Sequence, residues 1–361
     1  MGSVKLKGEF NLVWSDLRSD YVTAIAWSID GILAAISAAG EVVLYDSKRS
    51  PSLEILQAAT GVSLDCLGFS HDGQFLAVGG QDGGIKIWQM KPEVQLMAAL
   101  DNAPAWVDHL AWSPTEPMLA YSLGKFVQVW QAGHVVATLH FDTSSVMSLA
   151  WQPNGQQLAV GGYQGIKLWT TADWDDDPWM VTIPSASVAL GWSPDSRYLA
   201  TGNLDRTATV LDAKDLAHPW VMSGFPGKIR SLAWSDLPTQ RHQHWSTSLL
   251  AVSSIEGVVT WEKVSEQFSD GWKSTVLSHH QAVVQGIQFH PQSFLLASAA
   301  EDGAVCLWDK AKKLTQILEG HSGWSSVAWH PQGDYLAAGG QQGELWVWAK
   351  EKRGQGFGAR G

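Results

Sequence analysis

The chain has 361 residues, of which 45% are hydrophobic and only 16% are charged, a composition typical of a globular rather than a disordered protein. The formal net charge is −11 and no basic block is present, which argues against nucleic acid or an anionic membrane as a partner. Two cysteines, Cys66 and Cys306, are too few for a disulfide scaffold or a cysteine-based zinc module. Residues 1–10 lack the apolar core of a signal peptide, so we expect a cytoplasmic protein.

The first predicted strand, residues 8–14, precedes a series of repeats. Each repeat begins with a short motif such as IAWSI or LAWSP, centred on an aromatic residue that we call the anchor. The eight anchors are Trp27, Phe69, Trp112, Trp151, Trp192, Trp234, Phe289 and Trp329. Successive anchors are separated by roughly 40 residues, except for a longer interval before Phe289. A repeat of about this length is typical of a propeller blade.

Within each repeat the apolar residues alternate with a period of two, and Gly, Asp, Asn and Pro mark the turns. This pattern predicts four antiparallel strands per repeat, and an all-β fold with eight blades stacked around an axis. A seven-bladed ring is the alternative. The last repeat ends at Trp348 without an outer strand, so we expect residues 8–14 to supply it and close the ring. The expected domain spans 1–349, followed by a flexible, basic, Gly-rich tail at 350–361.

The repeats resemble the WD-repeat β-propeller family over about residues 20–349, although only Trp308-Asp309 is a true Trp-Asp dipeptide. The resemblance implies a hydrogen-bonded tetrad that stiffens a blade. The seventh repeat matches it best, with His280, Ser298, Asp302 and Trp308. The resemblance also implies that partner peptides bind the rim where the chain enters each inner strand. Tyr21 and Trp106 are the aromatic candidates on that rim, because aromatic side chains dominate interface hot spots.

The opposite rim carries three long links, at 173–179, 235–248 and 262–273. Their tryptophans, Trp174, Trp245 and Trp272, occupy no repeat position, and the acidic run Asp175, Asp176 and Asp177 lies beside the first of them. Long links are often functional, and dense carboxylates would steer a basic partner. We therefore expect these residues to form the partner site, the alternative being that the tryptophans fold into local core.

Catalytic and metal-binding patterns are weak. His242 and His244 could hold a metal if a third ligand were supplied, the acidic run lacks the rhythm of a calcium loop, and the terminal GFGARG follows no βαβ unit. We expect no cofactor and no catalysis. The sequence predicts a monomeric protein-interaction scaffold that binds one or more proteins and no nucleic acid or membrane. Two alternatives stay open: a metal-handling accessory protein using the histidine loop, and a propeller enzyme with a site at the channel mouth.

Overall fold

The computed structural model describes residues 8–48, 53–242, 245–255, 257–265 and 267–351, which form a closed ring of antiparallel β-sheets. The first sheet, from its inner to its outer strand, contains β2 (Val22–Trp27), β3 (Ile32–Ser37), β4 (Val42–Asp46) and β5 (Leu53–Gln57). The second contains β6 (Leu64–Phe69), β7 (Phe75–Gly80), β8 (Gly84–Gln89) and β9 (Gln95–Asp101). The third contains β10 (Leu110–Trp112), β11 (Met118–Leu123), β12 (Phe126–Gln131) and β13 (His134–His140).

The next sheet has six strands: β14 (Ser148–Trp151), β15 (Gln157–Thr170), β16 (Trp179–Trp192), β17 (Tyr198–Asn203), β18 (Ala208–Asp212) and β19 (Asp215–Met222). It is followed by a sheet of β20 (Ser231–His242), β21 (Trp245–Ser254), β22 (Gly257–Lys263) and β23 (Trp272–Leu277). The sixth sheet contains β24 (Val284–Phe289), β25 (Leu296–Ala300), β26 (Ala304–Asp309) and β27 (Lys313–Glu319). The last contains β28 (Trp324–Trp329), β29 (Tyr335–Gly340), β30 (Glu344–Lys350) and, outermost, β1 (Phe10–Leu17).

Counted as hydrogen-bonded sheets, the ring has seven blades, which is the alternative given above, and the prediction of eight separate blades is wrong. The difference arises at the fourth and fifth repeats, which share the six-stranded sheet. Strand β16 runs without interruption from the outer position of the fourth repeat to the inner position of the fifth. Its first half pairs with β15 and its second half with β17, while the pair Tyr163–Ala186 joins the two regions. Seven of the eight anchors nevertheless end a strand, Trp192 closing β16 in the fifth repeat, and the remaining anchor, Trp234, lies within β20.

The two ends of the chain meet in the last sheet. Strand β1 pairs antiparallel with β30, from Phe10 opposite Lys350 to Leu17 opposite Glu344, so it runs three residues beyond the expected 8–14. Phe10 is almost fully buried and lies edge-on to the anchor Trp329, with ring centroids 5.3 Å apart. The Gln316 side chain in the preceding sheet accepts hydrogen bonds from the backbone N–H groups of Glu9 and Phe10 and donates one to the Phe10 carbonyl.

Neighbouring repeats are connected by the anchors themselves. The indole N–H of each anchor tryptophan donates a hydrogen bond to the carbonyl of the residue just before the anchor of the preceding repeat. These six bonds are Trp27 to Ala328, Trp112 to Gly68, Trp151 to Ala111, Trp192 to Ala150, Trp234 to Gly191 and Trp329 to Gln288, at 2.9–3.3 Å. Phe69 and Phe289 have no N–H on their rings and make no such bond, so two of the seams between repeats lack it.

The long segment 235–248, expected to be a loop, extends the hairpin of the sixth repeat instead. Strand β20 continues to His242 and β21 begins at Trp245, with Pro238 opposite Ser248 and His242 opposite Trp245. The structure describes one helical turn, a 3-10 turn at Phe268–Asp270. Among the described residues, no helix has the length and apolar character needed to cross a membrane.

Candidate functional site

The tetrad predicted in the seventh repeat is present as a hydrogen-bonded chain. His280 Nδ1 lies 3.0 Å from Asp302 Oδ2, and His280 Nε2 lies 2.8 Å from Ser298 Oγ. The indole N–H of Trp308 donates to the same Ser298 oxygen at 2.9 Å. Burial lowers the pKa of His280, so its neutral form can donate from Nδ1 to the carboxylate and accept from the serine at Nε2. Because every member is paired within one repeat, this network stabilises the blade and offers no free group to a partner.

Two of the three link tryptophans lie in local core. Trp174 packs beside the fourth anchor, Trp151, with ring centroids 6.0 Å apart at 85°. Trp272 is the first residue of β23 and contacts the rings of Tyr198, Trp220 and Trp234. Both side chains are half-buried, and repeat-to-repeat packing accounts for them.

The rest of the predicted loop surface is only partly described. Asp175, Asp176 and Asp177 are exposed beside Trp174 and present three carboxylates to solvent. For His242 and Trp245 the structure gives the backbone pairing alone, and His244 lies outside the described residues. The terminal GFGARG also lies outside them. In the described part of the chain, no group of three or more His, Cys, Asp and Glu side chains could hold a metal ion.

The other rim, where the inner strands begin, we call the entry rim. Trp106 lies on it, in the link from β9 to β10, and 54% of its surface is exposed. The next residue, Val107, is fully buried, which fixes the backbone beneath the indole. Tyr21 is half-buried at the start of β2, and burial raises the pKa of its hydroxyl. Of these two predicted aromatic residues, Trp106 presents the larger surface to a partner.

The inner strands of repeats one to six line a cavity of about 380 Å3 in the central channel. Its wall includes Asp65 and Asp108 on two neighbouring repeats and Arg230 on the sixth repeat. Asp65 accepts a hydrogen bond from the Ser63 hydroxyl at 2.7 Å. Within the described part of the chain, no ion pair joins Arg230 to either carboxylate, and Asp108 makes no side-chain hydrogen bond. The cavity is therefore bordered by opposite charges that do not neutralise each other directly.

The sequence motifs did not identify Asp65, Asp108 or Arg230 as residues of the channel wall. The signal that could have found them is the repeat register, since Asp65, Asp108 and Arg230 each stand four residues before their anchor. Equivalent positions in a propeller lie at one level of the channel. The pKa of His109 is lowered by burial, with Asp108 opposing that effect. No hydrogen bond joins the His109 ring to the Asp108 carboxylate among the described residues, so the pair does not form an acid–base dyad.

Comparison with known families agrees with this architecture. Residues 52–89, 133–170, 181–212, 271–309 and 312–349, about half of the chain, match the family described as "WD domain, G-beta repeat". The chain belongs to the WD-repeat family. The resemblance recognised from the anchors and the seventh-repeat tetrad is thereby confirmed. Propellers of this family are generally non-catalytic and typically bind other proteins.

Several WD-repeat proteins are similar to this chain at low identity. The human intraflagellar transport protein 122 homolog is 23% identical over 191 residues, which is 52% of this chain and 15% of that protein. A WD repeat-containing protein WDS homolog of Arabidopsis thaliana is 24% identical over 269 residues, 70% of this chain and 49% of that protein. Meiotic fizzy-related protein 2 of Schizosaccharomyces pombe is 25% identical over 275 residues, which is 70% of this chain and 52% of that protein. The chain thus matches about half or less of the length of these relatives.

Proposed function

We propose that this protein is a non-catalytic interaction platform that binds a protein partner on the entry rim. The observation that supports this most strongly is Trp106, a large aromatic side chain that is 54% exposed and lies two residues before Asp108 of the charged cavity. An exposed indole on a rigid backbone offers a large contact area at a low cost in conformational entropy. Trp174 and Trp272, in contrast, already have aromatic neighbours within the protein.

The wider setting of the proposal is a cytoplasmic monomer that uses no cofactor and binds neither nucleic acid nor membrane. Its net charge of −11 favours a partner with a basic surface, because complementary potentials accelerate association. Membership of the WD-repeat family supports protein binding as the general role.

The acidic run on the opposite rim is a second candidate contact. Asp175, Asp176 and Asp177 are exposed and adjacent, and together they would attract a basic segment in a salt-dependent way. With Trp174 half-buried beside them, this surface offers charge without an exposed aromatic anchor. We therefore place it second, as a contact that steers a partner and adds little contact area.

The test is affinity capture from the native source with the wild-type protein and Trp106→Ser. Trp179→Ser is the matched control, because Trp179 is 72% exposed at the start of β16, away from the entry rim. We expect Trp106→Ser to lose a captured protein that wild type and the control retain, with unchanged melting temperatures for both variants. Equal capture by Trp106→Ser would refute the entry-rim assignment. Loss of capture in Asp175→Asn/Asp176→Asn/Asp177→Asn alone would favour the acidic run.

A further inference from the structure

The channel-lining position four residues before each anchor carries a distinctive set of side chains around the ring. In repeat order they are Thr23, Asp65, Asp108, Met147, Val188, Arg230, Gln285 and Ser325. The two carboxylates are neighbours, and Arg230 stands four repeats from Asp65, on the far side of the ring. A single level of the channel therefore has a negative side and a positive side.

The residues between the charges also differ. One arc from the carboxylates to Arg230 passes Met147 and Val188, which are apolar. The other passes Gln285, Ser325 and Thr23. The Gln285 amide donates to the Glu301 carboxylate, and the two hydroxyls donate to backbone carbonyls, Ser325 to Val22 and Gly339 and Thr23 to Leu64. These polar side chains already have partners within the protein, so the charged groups are the main ones at this level that remain available for a ligand.

Arg230 is exposed, and so is Asp108, across a cavity of about 380 Å3 that both line. A cavity of this size can hold one or two side chains, and a group inserted there would meet unpaired charge of both signs. The positive side suits a carboxylate, which an arginine can bind through two parallel hydrogen bonds. The negative side suits an ammonium or guanidinium group.

We infer that the channel mouth recognises a partner segment of mixed charge, which places a lysine or arginine side chain against Asp65 and Asp108 and a carboxylate against Arg230. This rests on the proposed entry-rim function and adds to it the chemistry of the bound segment. A segment with one charge alone satisfies only one side of the mouth. The arrangement thus selects against uniformly basic and uniformly acidic peptides, which a merely acidic surface would not do.

The experiment measures binding of fluorescent peptides to the full chain by anisotropy. The mixed probes are Gly/Ser-spaced peptides with one Arg and one Glu separated by two to five residues, in both orders. In the single-charge probes, Gln replaces either the Glu or the Arg. We expect at least one mixed probe to bind about 5- to 10-fold more tightly than both of its single-charge versions at low salt, with a smaller advantage at physiological salt.

Variants assign each charge to its side of the mouth. Arg230→Gln should remove the advantage that Glu gives and leave the effect of Arg, and Asp65→Asn/Asp108→Asn should do the reverse. Lys214→Gln and Asp309→Asn each remove one exposed charge, positive and negative respectively, on the opposite rim and should change nothing. The inference is overturned if no mixed probe binds up to about 1 mM, the weak end of specific affinity. It is also overturned if the three probe types bind alike, or if the channel variants behave like the controls.

The two proposals can fail separately. If Trp106→Ser loses the native partner while the mixed probes show no preference, the entry rim is the binding face and the inference about charge is wrong. If the probes respond to the channel variants while Trp106→Ser captures normally, the charge recognition is correct and the indole contact is not.

Discussion

Closure of the ring by β1 predicts a large effect from a single side chain near the N-terminus. Phe10 is 2% exposed and packs among Leu318, Trp329 and Trp348, from the last two sheets. Replacing such a phenylalanine by alanine removes its transfer free energy and leaves a cavity, which together cost about 3–5 kcal/mol. Relaxation at the edge of the sheet favours the lower half of that range. We therefore expect Phe10→Ala to lower the free energy of unfolding by about 3 kcal/mol.

The measurement is urea denaturation followed by tryptophan fluorescence, which reports on the 21 tryptophans throughout the ring. Leu12→Ala is the matched control on the same strand, since Leu12 is 47% exposed and a surface change alters stability by only about 0.5 kcal/mol. If the two variants unfold at the same urea concentration, β1 does not close the ring. A wild-type midpoint after deletion of residues 1–14 would refute the same reasoning independently.

Other predictions concern the tetrad, the seams and the local core. Asp302→Ala should lower the free energy of unfolding by about 1–3 kcal/mol, because it leaves buried His280 without its carboxylate. Asp82→Ala, at an exposed turn, should lower it less. Equal losses in thermal denaturation would contradict a formed tetrad. Because the pKa of His280 is lowered in the folded protein, the unfolded chain takes up a proton below pH ~6.5 that the folded protein resists. The free energy of unfolding should therefore decrease as the pH is lowered, and it should decrease less steeply in His280→Gln in a series of urea melts. Parallel curves for the two proteins would show that His280 does not contribute. Trp192→Phe should cost about 1 kcal/mol for the lost indole hydrogen bond to Ala150, and a neutral result would show that this seam depends on ring packing alone. Trp272→Ser should lower the free energy of unfolding by about 3 kcal/mol, against about 0.5 kcal/mol for Trp179→Ser, and an unchanged melt would return Trp272 to the list of partner contacts.

The repeating parts of this fold could be predicted from the sequence because each is local. An anchor such as Trp112 recurs at a fixed spacing, and the tetrad residues lie within one repeat. The sharing of one sheet by two repeats could not be predicted, because it depends on β16 staying extended through Pro184 where other repeats turn. The packing of Trp272 could not be predicted for a related reason. Its ring packs on Tyr198 and Trp220 of the preceding repeat, a contact over more than 50 positions that no local pattern records.

Only part of the candidate site could be predicted from the sequence. Trp106 could be assigned to the entry rim from its distance to the anchor, but its exposure depends on how the link from β9 to β10 lies over the second and third repeats. Asp65 and Arg230 could have been found, since one repeat position contains them both. They belong to no motif along the chain, and their relation appears only when the repeats are aligned in register around the ring.

The anchor hydrogen bonds divide the ring in a way that differs from the order of the chain. Because Phe69 and Phe289 cannot donate, the indole bonds join repeats two to six into one arc and repeats seven, eight and one into another. The N-terminal and C-terminal strands therefore pair within the shorter arc, which β1 and the hydrogen bond from Trp27 to Ala328 hold together. The seams without indole bonds lie elsewhere, before the second and the seventh repeats. A circular permutant that joins the present ends and opens the chain before Phe69 would have its new termini at a boundary between arcs, so each arc would be one continuous stretch of polypeptide.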